Sequence, residues 1–247
     1  MQSTKNCWNS KQDSGLNAAV LSKYLLCDAS LETCNESQTP PAISFIDLTK
    51  AFDSIHRPSL WNIMRTYGIP PKVISAIEQI YADSTCCIRT EDGYSGWFEV
   101  VTGVRQGCLL SPILFALATD WVLKKATKDQ GIQWLEGQKL SDLDFADNIA
   151  ALAETTRDLQ PLVSEIGTSA ASIGLNISAK KTKNMLAGMH PPPTSVCIDQ
   201  KEVEVVDNFT YLGSSINSNG DMDKELDCVY SGKSCSRIQS AWQDLEK

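Results

Sequence analysis

The feature that most constrains the fold is a pair of aspartates, each embedded in an apolar run. Asp47 ends the run Ala42-Ile-Ser-Phe-Ile-Asp47, and Asp147 lies between Phe145 and Ile149. The first run is typical of a short strand in the interior of a sheet. The second predicts two strands joined by a tight turn at Ala146-Asp147-Asn148, because Asp and Asn favour turns. A carboxylate in apolar surroundings is costly unless it is paired or bound to a metal. Each aspartate is therefore either a local cap or part of a shared cation site.

The rest of the chain predicts helices and hairpins in alternation, which indicates an α+β fold. Apolar spacing, Pro and Gly predict helices over 58–67, 70–80, 112–128 and 155–173, and a last helix from about residue 221. The predicted hairpins cover 86–101, 140–152 and 196–206, with a further strand region over 209–216.

Composition excludes several classes of protein. The chain has 247 residues and a net charge of −8, which fits one or two globular domains and argues against a freestanding nucleic-acid-binding module. Nine cysteines without a CxxC pair and two histidines offer no zinc ligand set. We expect an intracellular protein with no membrane span, because neither a secretory signal core nor a long apolar segment is present. Nucleus and cytoplasm are not distinguished, and the oligomeric state stays open.

Five segments in order resemble motifs of the reverse transcriptases of non-LTR (LINE-type) retrotransposons. The resemblance spans roughly residues 42–216, and the segments that carry it are Phe45-Ile-Asp-Leu-Thr-Lys-Ala-Phe-Asp53, Gly103-Val-Arg-Gln-Gly-Cys-Leu-Leu-Ser-Pro-Ile-Leu-Phe115, Leu143-Asp-Phe-Ala-Asp-Asn148, Gly174-Leu-Asn-Ile-Ser-Ala-Lys-Lys-Thr-Lys183 and Phe209-Thr-Tyr-Leu-Gly213. It implies a right-hand polymerase palm, an antiparallel sheet backed by helices, with incomplete fingers and only the start of a thumb. The implied domains are a fingers remnant over 1–41, the palm with part of the fingers over 42–190, and the primer grip with the start of the thumb over 191–247.

The resemblance implies an RNA-directed DNA polymerase that uses an RNA template, a DNA primer and deoxynucleoside triphosphates. Asp47 and Asp147 match the catalytic aspartates that bind two Mg²⁺ ions, for which Mn²⁺ is a possible substitute, and Asn148 completes the metal set. Lys181 matches a candidate general acid for the pyrophosphate leaving group. The alternative for Lys181 is that it belongs to a solvated basic turn.

The remaining implied roles concern the nucleotide and the primer. Phe52 matches the position that excludes a 2′-hydroxyl by bulk, with a plain core aromatic as the alternative. Gln106 and Gly107 match the loop that contacts the incoming nucleotide and the template. The primer-grip segment comprises Tyr211, Leu212 and Gly213, which otherwise close a hydrophobic hairpin. Asp53 and Arg57 are interpreted as a local ion pair or cap.

The sequence also departs from the family pattern. The family usually has Asp where this chain has Asn148, and Asn where it has Ser178. No fingers motif is recognised in residues 1–40, and the chain ends one predicted helix after the primer grip. These departures favour a truncated, degenerate copy. We expect the 247-residue chain not to extend a primer, and Asn148→Asp alone not to restore extension. The alternative function is a catalytically inactive palm remnant that acts at most as a protein- or RNA-binding scaffold.

Overall fold

A computed structural model describes residues 41–91, 93–127, 130–135, 138–186, 195–211 and 214–218. Its helices are Ala51–Ser54 (α1), Arg57–Thr66 (α2), Pro71–Tyr81 (α3), Ser111–Ala126 (α4) and Thr156–Ala171 (α5). Its strands are Ala42–Thr49 (β1), Thr85–Cys86 (β2), Arg89–Thr90 (β3), Gly93–Tyr94 (β4), Phe98–Glu99 (β5), Ile132–Leu135 (β6), Gln138–Leu140 (β7), Asp142–Phe145 (β8), Asn148–Ala153 (β9), Asn176–Ile177 (β10), Lys183–Leu186 (β11), Cys197–Ile198 (β12), Lys201–Glu202 (β13), Glu204–Val205 (β14), Asn208–Tyr211 (β15) and Ser214–Asn217 (β16). The predicted helix from about residue 221 lies outside the described residues.

A six-stranded sheet organises the fold around β1. Its strand order is β14-β11-β1-β9-β8, and β10 pairs with the end of β1 beside β11. The pairings of β1 with β9, β10 and β11 are antiparallel, as is that of β8 with β9. One pairing departs from the expected antiparallel sheet, because β14 runs parallel to β11. The α+β prediction and the central place of the first apolar strand are confirmed.

Both faces of the sheet are covered, which explains why β1 is apolar almost throughout. Successive side chains of a strand point to opposite faces. Ile46 and Leu48 accordingly join the core formed with the helices, whereas Ile43 and Phe45 join a second core on the other face. In this second core Phe45 stacks on Phe209 of the β15–β16 hairpin at a ring-centroid distance of 4.1 Å. A strand buried on both faces needs a continuous apolar run rather than strict alternation.

Local sequence signals set the helix ends as expected. Pro58 and Pro71 occupy the first turns of α2 and α3, where the missing proline N–H would have no helical partner. The Thr155 side chain accepts a hydrogen bond from the backbone N–H of Asp158 at 3.2 Å, which caps α5. None of the helices in the described ranges is long and apolar enough to cross a membrane.

Two parts of the strand pattern differ from the prediction. The predicted 86–101 hairpin forms as two separate short ladders, β2 with β5 and β3 with β4. The β6–β7 hairpin was not predicted. Its strand Gln138–Leu140 is polar over its first two residues, so apolar patterning gives little sign of it.

Candidate active site

The two aspartate motifs meet at one end of the sheet. In the β1–β9 ladder the Cα partner of Asp47 is Asn148, and that of Ile46 is Ile149. Residues directly opposite in an antiparallel pair have Cβ atoms about 4.5–5.5 Å apart and point to the same face. The register therefore sets the carboxylate of Asp47 and the amide of Asn148 side by side, although the two residues are far apart in sequence.

Asp147 lies in the turn that joins β8 to β9. Phe145 and Asn148 are Cα partners, so the turn comprises Ala146 and Asp147 and is one residue shorter than predicted, because Asn148 already belongs to β9. Ala146 has a positive φ of 54°, a conformation that such turns require. Asp147 and Asn148 are both exposed at this turn. Asp147 is thus one residue from the position opposite Asp47; the closeness of the two carboxylates stays a prediction.

Asp47 is held by the segment that links β10 to β11. Its carbonyl accepts from the N–H of Ser178 at 2.8 Å, and its own N–H donates to the Thr182 hydroxyl at 3.3 Å. The ammonium of Lys181, in the same segment, lies 3.4 Å from Oδ1 of Asp47. The Asp47 side chain is 40% exposed as a whole, but Oδ1 is shielded from solvent and accepts no hydrogen bond from the described residues. Lys181 is thereby placed at the first predicted catalytic carboxylate.

The donor set suits a hard cation. Asp47, Asp147 and Asn148 offer carboxylate and amide oxygens, and Mg²⁺ is bound in proteins by one or two carboxylates together with substrate phosphates. Oδ1 of Asp47, which is shielded from solvent and lies 3.4 Å from the Lys181 ammonium, is an oxygen of this kind. Within the described part of the chain no group of three or more His, Cys, Asp or Glu residues is arranged to hold a metal. The residues present thus fit a site completed by a substrate rather than a closed protein cage.

The predicted nucleotide loop, which comprises residues 103–107, packs against the turn that follows β1. The N–H groups of Gly103 and Val104 donate to the carbonyls of Ile55 and Phe52, each at 2.7 Å. Gly103 has a φ of +77°, and a Cβ there would lie 2.6 Å from Cα of Asp53. No other residue type allows the backbone to approach this closely. Gln106 and Gly107, farther along the loop, are exposed.

Phe52 lies between the loop and the core. Its ring stacks on that of Phe115 in α4, with centroids 4.5 Å apart and planes inclined by 14°. Phe115 is fully buried, whereas Phe52 is only partly buried. One face of the Phe52 ring therefore packs against core while part of the side chain stays accessible. This placement is compatible with both roles considered for Phe52.

Arg57 was interpreted as an ion-pair or cap partner of Asp53, and this is wrong. The side chain is buried and donates to three backbone carbonyls: to Gly103 at 2.9 Å from Nε, and to Tyr81 and Val100 at 3.2 and 2.7 Å from Nη1. It also lies over the Tyr81 ring, 5.0 Å from the centroid. Burial lowers the pKa of Arg57 from its ordinary value, and Tyr81 opposes that shift.

Arg57 is the main structural residue of the site that the sequence did not reveal. Its guanidinium donates hydrogen bonds to the end of α3, to the segment that follows β5 and to the start of the nucleotide loop, and so bridges these three segments. One local signal was available, since Arg57 is the first residue of α2 and a cation there opposes the helix dipole. Such a placement indicates a residue held by contacts elsewhere.

The predicted primer-grip residues are only partly described. Tyr211 is buried at 2% exposure, and its hydroxyl donates to the carbonyl of Leu143 at 3.1 Å. Its ring packs on Phe45 at a centroid distance of 5.5 Å. Leu212 and Gly213 lie outside the described residues. The β15–β16 hairpin is thus anchored under β8, close in sequence to the Asp147 turn, and a contact of this hairpin with a primer stays a prediction.

Comparison with known proteins decides the family. Residues 5–216 match the family model described as reverse transcriptase (RNA-dependent DNA polymerase). The chain belongs to the reverse transcriptase family. The match begins well before Phe45, so the similarity to reverse transcriptases includes most of residues 1–41, where no motif was recognised.

The relatives confirm the resemblance to the non-LTR class of reverse transcriptases. The chain is 28% identical over 195 residues to the Retrovirus-related Pol polyprotein from the type-1 retrotransposable element R2 of Nasonia vitripennis, covering 74% of this chain and 19% of that protein. It is 27% identical over 191 residues to the corresponding polyprotein of the type-2 element R2DM of Drosophila melanogaster, covering 72% and 18%. The chain therefore spans about a fifth of the length of these relatives.

Solved reverse transcriptase structures share the fold. Telomerase from Candida tropicalis in complex with a TWJ fragment of telomeric RNA aligns with a TM-score of 0.57 at 15% identity, over 91% of this chain and 34% of that one. The apo enzyme truncated from its C-terminal domain gives a TM-score of 0.55 at 15% identity, over 85% and 40%. At this identity the likeness concerns the polymerase fold alone.

Proposed function

We propose that the described sheet and helices are the palm of an RNA-directed DNA polymerase, which adds deoxynucleotides to a primer 3′-hydroxyl on an RNA template. The observation that carries this proposal is the β1–β9 register, which brings Asp47 opposite Asn148 and next to the Asp147 turn. Two motifs far apart in sequence would thus supply oxygen ligands at a single edge of the sheet.

Asp47, Asp147 and the Asn148 amide oxygen would hold two divalent cations. Such cations lower the pKa of a bound hydroxyl and neutralise charge on a transferring phosphate. Asp47 is positioned for this role on a central strand, because its backbone N–H and carbonyl are both bonded to the 178–182 segment. Asn148 adds an oxygen without a negative charge, so the site carries one charge fewer than a site with aspartate at this position.

The chain's own residues would select the nucleotide and assist its leaving group. Phe52 would lie under the incoming sugar, with Phe115 holding its ring from behind. Gln106 and Gly107, on the docked loop, would contact the nucleotide and the template. Lys181 carries an exposed ammonium next to Asp47 and could give a proton to the departing pyrophosphate.

One observation favours the second candidate, an inactive palm that binds RNA or protein. Asn148 occupies the position where the family usually has a second aspartate, so the described residues at this edge supply only two carboxylates. Losing one preorganised electrostatic group typically costs about 10²–10³ in rate. The two candidates differ in turnover and not in fold.

Primer extension and Mn²⁺ binding by the chain test the proposal together. Extension of oligo(dT) on poly(rA) with Mg²⁺ or Mn²⁺ would be measured alongside Mn²⁺ binding by electron paramagnetic resonance. We expect Asp47→Asn and Asp147→Asn each to reduce Mn²⁺ binding strongly and to abolish any extension that the parent chain supports. Asp83→Asn is the matched control, since Asp83 is an exposed turn residue with a φ of 50° that Asn also adopts.

The outcomes separate the two candidates. Extension that depends on Asp47 and Asp147 would establish the polymerase. Mn²⁺ binding without extension by the unsubstituted chain would favour the inactive palm. Equal behaviour of Asp47→Asn and Asp83→Asn in both assays would refute a metal site at this edge.

A further inference from the structure

A side-chain hydrogen bond joins two of the motifs outside the metal set. Nε2 of Gln106, on the nucleotide loop, donates to Oδ1 of Asp53, on the α1 turn, at 3.2 Å. Both side chains are exposed. Neither the family resemblance nor the site described above gives Asp53 a task, and its expected partner Arg57 is engaged by backbone carbonyls.

The backbone beneath this bond is fixed at several points. The Thr102 hydroxyl donates to the carbonyl of Asp53 at 3.0 Å, and Gly103 packs its Cα directly against the Asp53 backbone. The N–H groups of Gly103 and Val104 donate to carbonyls on either side of Asp53. The loop therefore starts from a set position relative to Asp53. The bond to Gln106 is the outermost contact of an ordered junction.

The chemistry of the two groups sets the orientation of the amide. An ionised carboxylate only accepts hydrogen bonds, whereas a glutamine amide has one end that donates and one that accepts. The Gln106 NH₂ group must therefore face Asp53. Its carbonyl Oε1 and its second N–H are then directed away from Asp53. Without the carboxylate, both orientations of the amide would be open.

We propose that Asp53 is a positioning residue that presents the Gln106 amide to the incoming nucleotide in one orientation. This inference rests on the proposed polymerase function. Its effect is on nucleotide binding, because a side chain that is already ordered loses less conformational freedom when a ligand binds. Ordering one such side chain corresponds to about a 2- to 12-fold change in affinity.

Steady-state extension kinetics with a double-mutant cycle, in a chain that carries added fingers and thumb segments, provide the first test. We expect Asp53→Ala to raise KM for the deoxynucleotide by about 2- to 12-fold, with a smaller effect on kcat. Asp53→Asn should have an intermediate effect, because its amide can partner Gln106 in either orientation. In a Gln106→Ala background, Asp53→Ala should change nothing further, since the group it positions is absent. Asp83→Asn is again the control for a carboxylate lost elsewhere.

A second measurement does not depend on turnover. The side-chain NH₂ resonances of Gln106, assigned by their loss in Gln106→Ala, report the bond directly in ¹⁵N spectra of the full chain. We expect slowed hydrogen exchange for the proton that faces Asp53, and random-coil exchange for both protons in Asp53→Ala. The unfolding midpoint of Asp53→Ala should stay close to that of the parent chain, since both side chains are exposed.

The results distinguish this inference from the proposed function. Metal-dependent extension with an unchanged KM in Asp53→Ala, or additive effects in the cycle, would overturn the role of Asp53 and leave the polymerase standing. Random-coil exchange of the Gln106 amide in the parent chain would overturn it as well. A protected Gln106 proton in a chain that shows neither extension nor Mn²⁺ binding would refute the polymerase alone, with the bond retained as a structural contact.

Discussion

Asp47 and Asn148 are directly opposed across β1 and β9, so a carboxylate faces an amide at the edge where the family usually has two acids in the hairpin. This pairing gives the site its oxygen geometry and lowers its negative charge at the same time. The neighbouring ammonium of Lys181 lowers the negative charge further. Substitutions at this edge can therefore change its charge without changing its backbone geometry.

Restoring that charge should strengthen cation binding. Asn148→Asp adds a unit charge about one side chain away from Asp47. A pair of unit charges 4 Å apart interacts by about 1 kcal/mol in water, and a divalent ion doubles this to about 2 kcal/mol, so we expect roughly a thirtyfold gain in Mn²⁺ affinity. Titration followed by electron paramagnetic resonance measures it. Asn62→Asp, which adds the same charge on the exposed face of α2, should leave the affinity unchanged. An equal gain in both variants would point to nonspecific charge.

Removing the Phe52 ring should relax sugar selection. In a chain that carries added fingers and thumb segments, Phe52→Ala takes away the bulk proposed to oppose a 2′-hydroxyl, so ribonucleotide incorporation should rise relative to deoxynucleotide incorporation. The variant also loses the stack on Phe115, and we expect a loss of about 1–3 kcal/mol in the free energy of unfolding, less than for a fully buried ring. Phe115→Leu perturbs the same stack from the core side. An identical sugar preference in both variants would return Phe52 to a packing role.

Substitution of Arg57 should be strongly destabilising. Arg57→Leu leaves the carbonyls of Gly103 and Val100 without this donor, whereas the Tyr81 carbonyl keeps its bond from the Ser84 hydroxyl, and each unsatisfied buried group costs about 1–3 kcal/mol. We expect a loss of about 3–5 kcal/mol in urea unfolding, and a substantial part of it in Arg57→Lys, because an ammonium lacks the planar fork. Arg65→Leu on the same helix removes an exposed pair with Glu78 and should cost under about 1 kcal/mol. Similar losses of stability at both positions would contradict the bridging role described for Arg57.

The Tyr67–Asp120 contact should make stability depend on alkaline pH. Burial, with the hydrogen bond to Asp120, raises the pKa of Tyr67 to about 12. The unfolded chain loses this proton near pH 10, before the folded chain does, so the contribution is complete below about pH 10 and disappears as pH rises toward 12. The urea midpoint of the parent chain should therefore fall more steeply over this range than that of Tyr67→Phe. Parallel curves would show that Tyr67 titrates alike in both states.

The same contact also shifts the pKa of Asp120, in the opposite direction to that of Tyr67. Burial raises the pKa of Asp120, but the hydrogen bonds from Lys124 and Tyr67 outweigh it and lower the net value. The carboxylate therefore contributes stability above its ordinary pKa, and that contribution is lost as pH falls through the lowered value. We expect Asp120→Asn to flatten the acid limb of the stability profile, measured by urea unfolding below pH 5.

Sequence patterns predicted the elements that depend on local chemistry. The apolar run of β1, the tight turn after Phe145 and the proline starts of α2 and α3 were all predicted, because turn propensity and apolar spacing act within a few residues. The motif resemblance then placed Asp47 and Asp147 in one site without a geometric argument. Propensity and spacing alone left each aspartate open as a local cap.

The features that were missed depend on partners far along the chain. Arg57 is adjacent to Pro58 at a helix start and gives no local sign that its carbonyl partners include Val100 and Gly103. The parallel pairing of β14 with β11 joins two short strands whose register no hydrophobic pattern specifies. Which backbone carbonyls a buried arginine contacts, and which short strands pair at the edge of the sheet, depend on the assembled fold. The sequence alone carries no local signal for either.

The central position of β1 has a consequence for how the chain is made. Its partners in the sheet are Asn148–Ala153 and Lys183–Leu186, so an apolar strand emerges from the ribosome long before either neighbour exists. At about 5–20 residues per second, residue 153 at the end of β9 follows residue 49 by roughly 5–21 s. During that interval the segment has both faces exposed and no edge partner. The strand that carries Asp47 is thus also an apolar segment that waits for its sheet partners during synthesis.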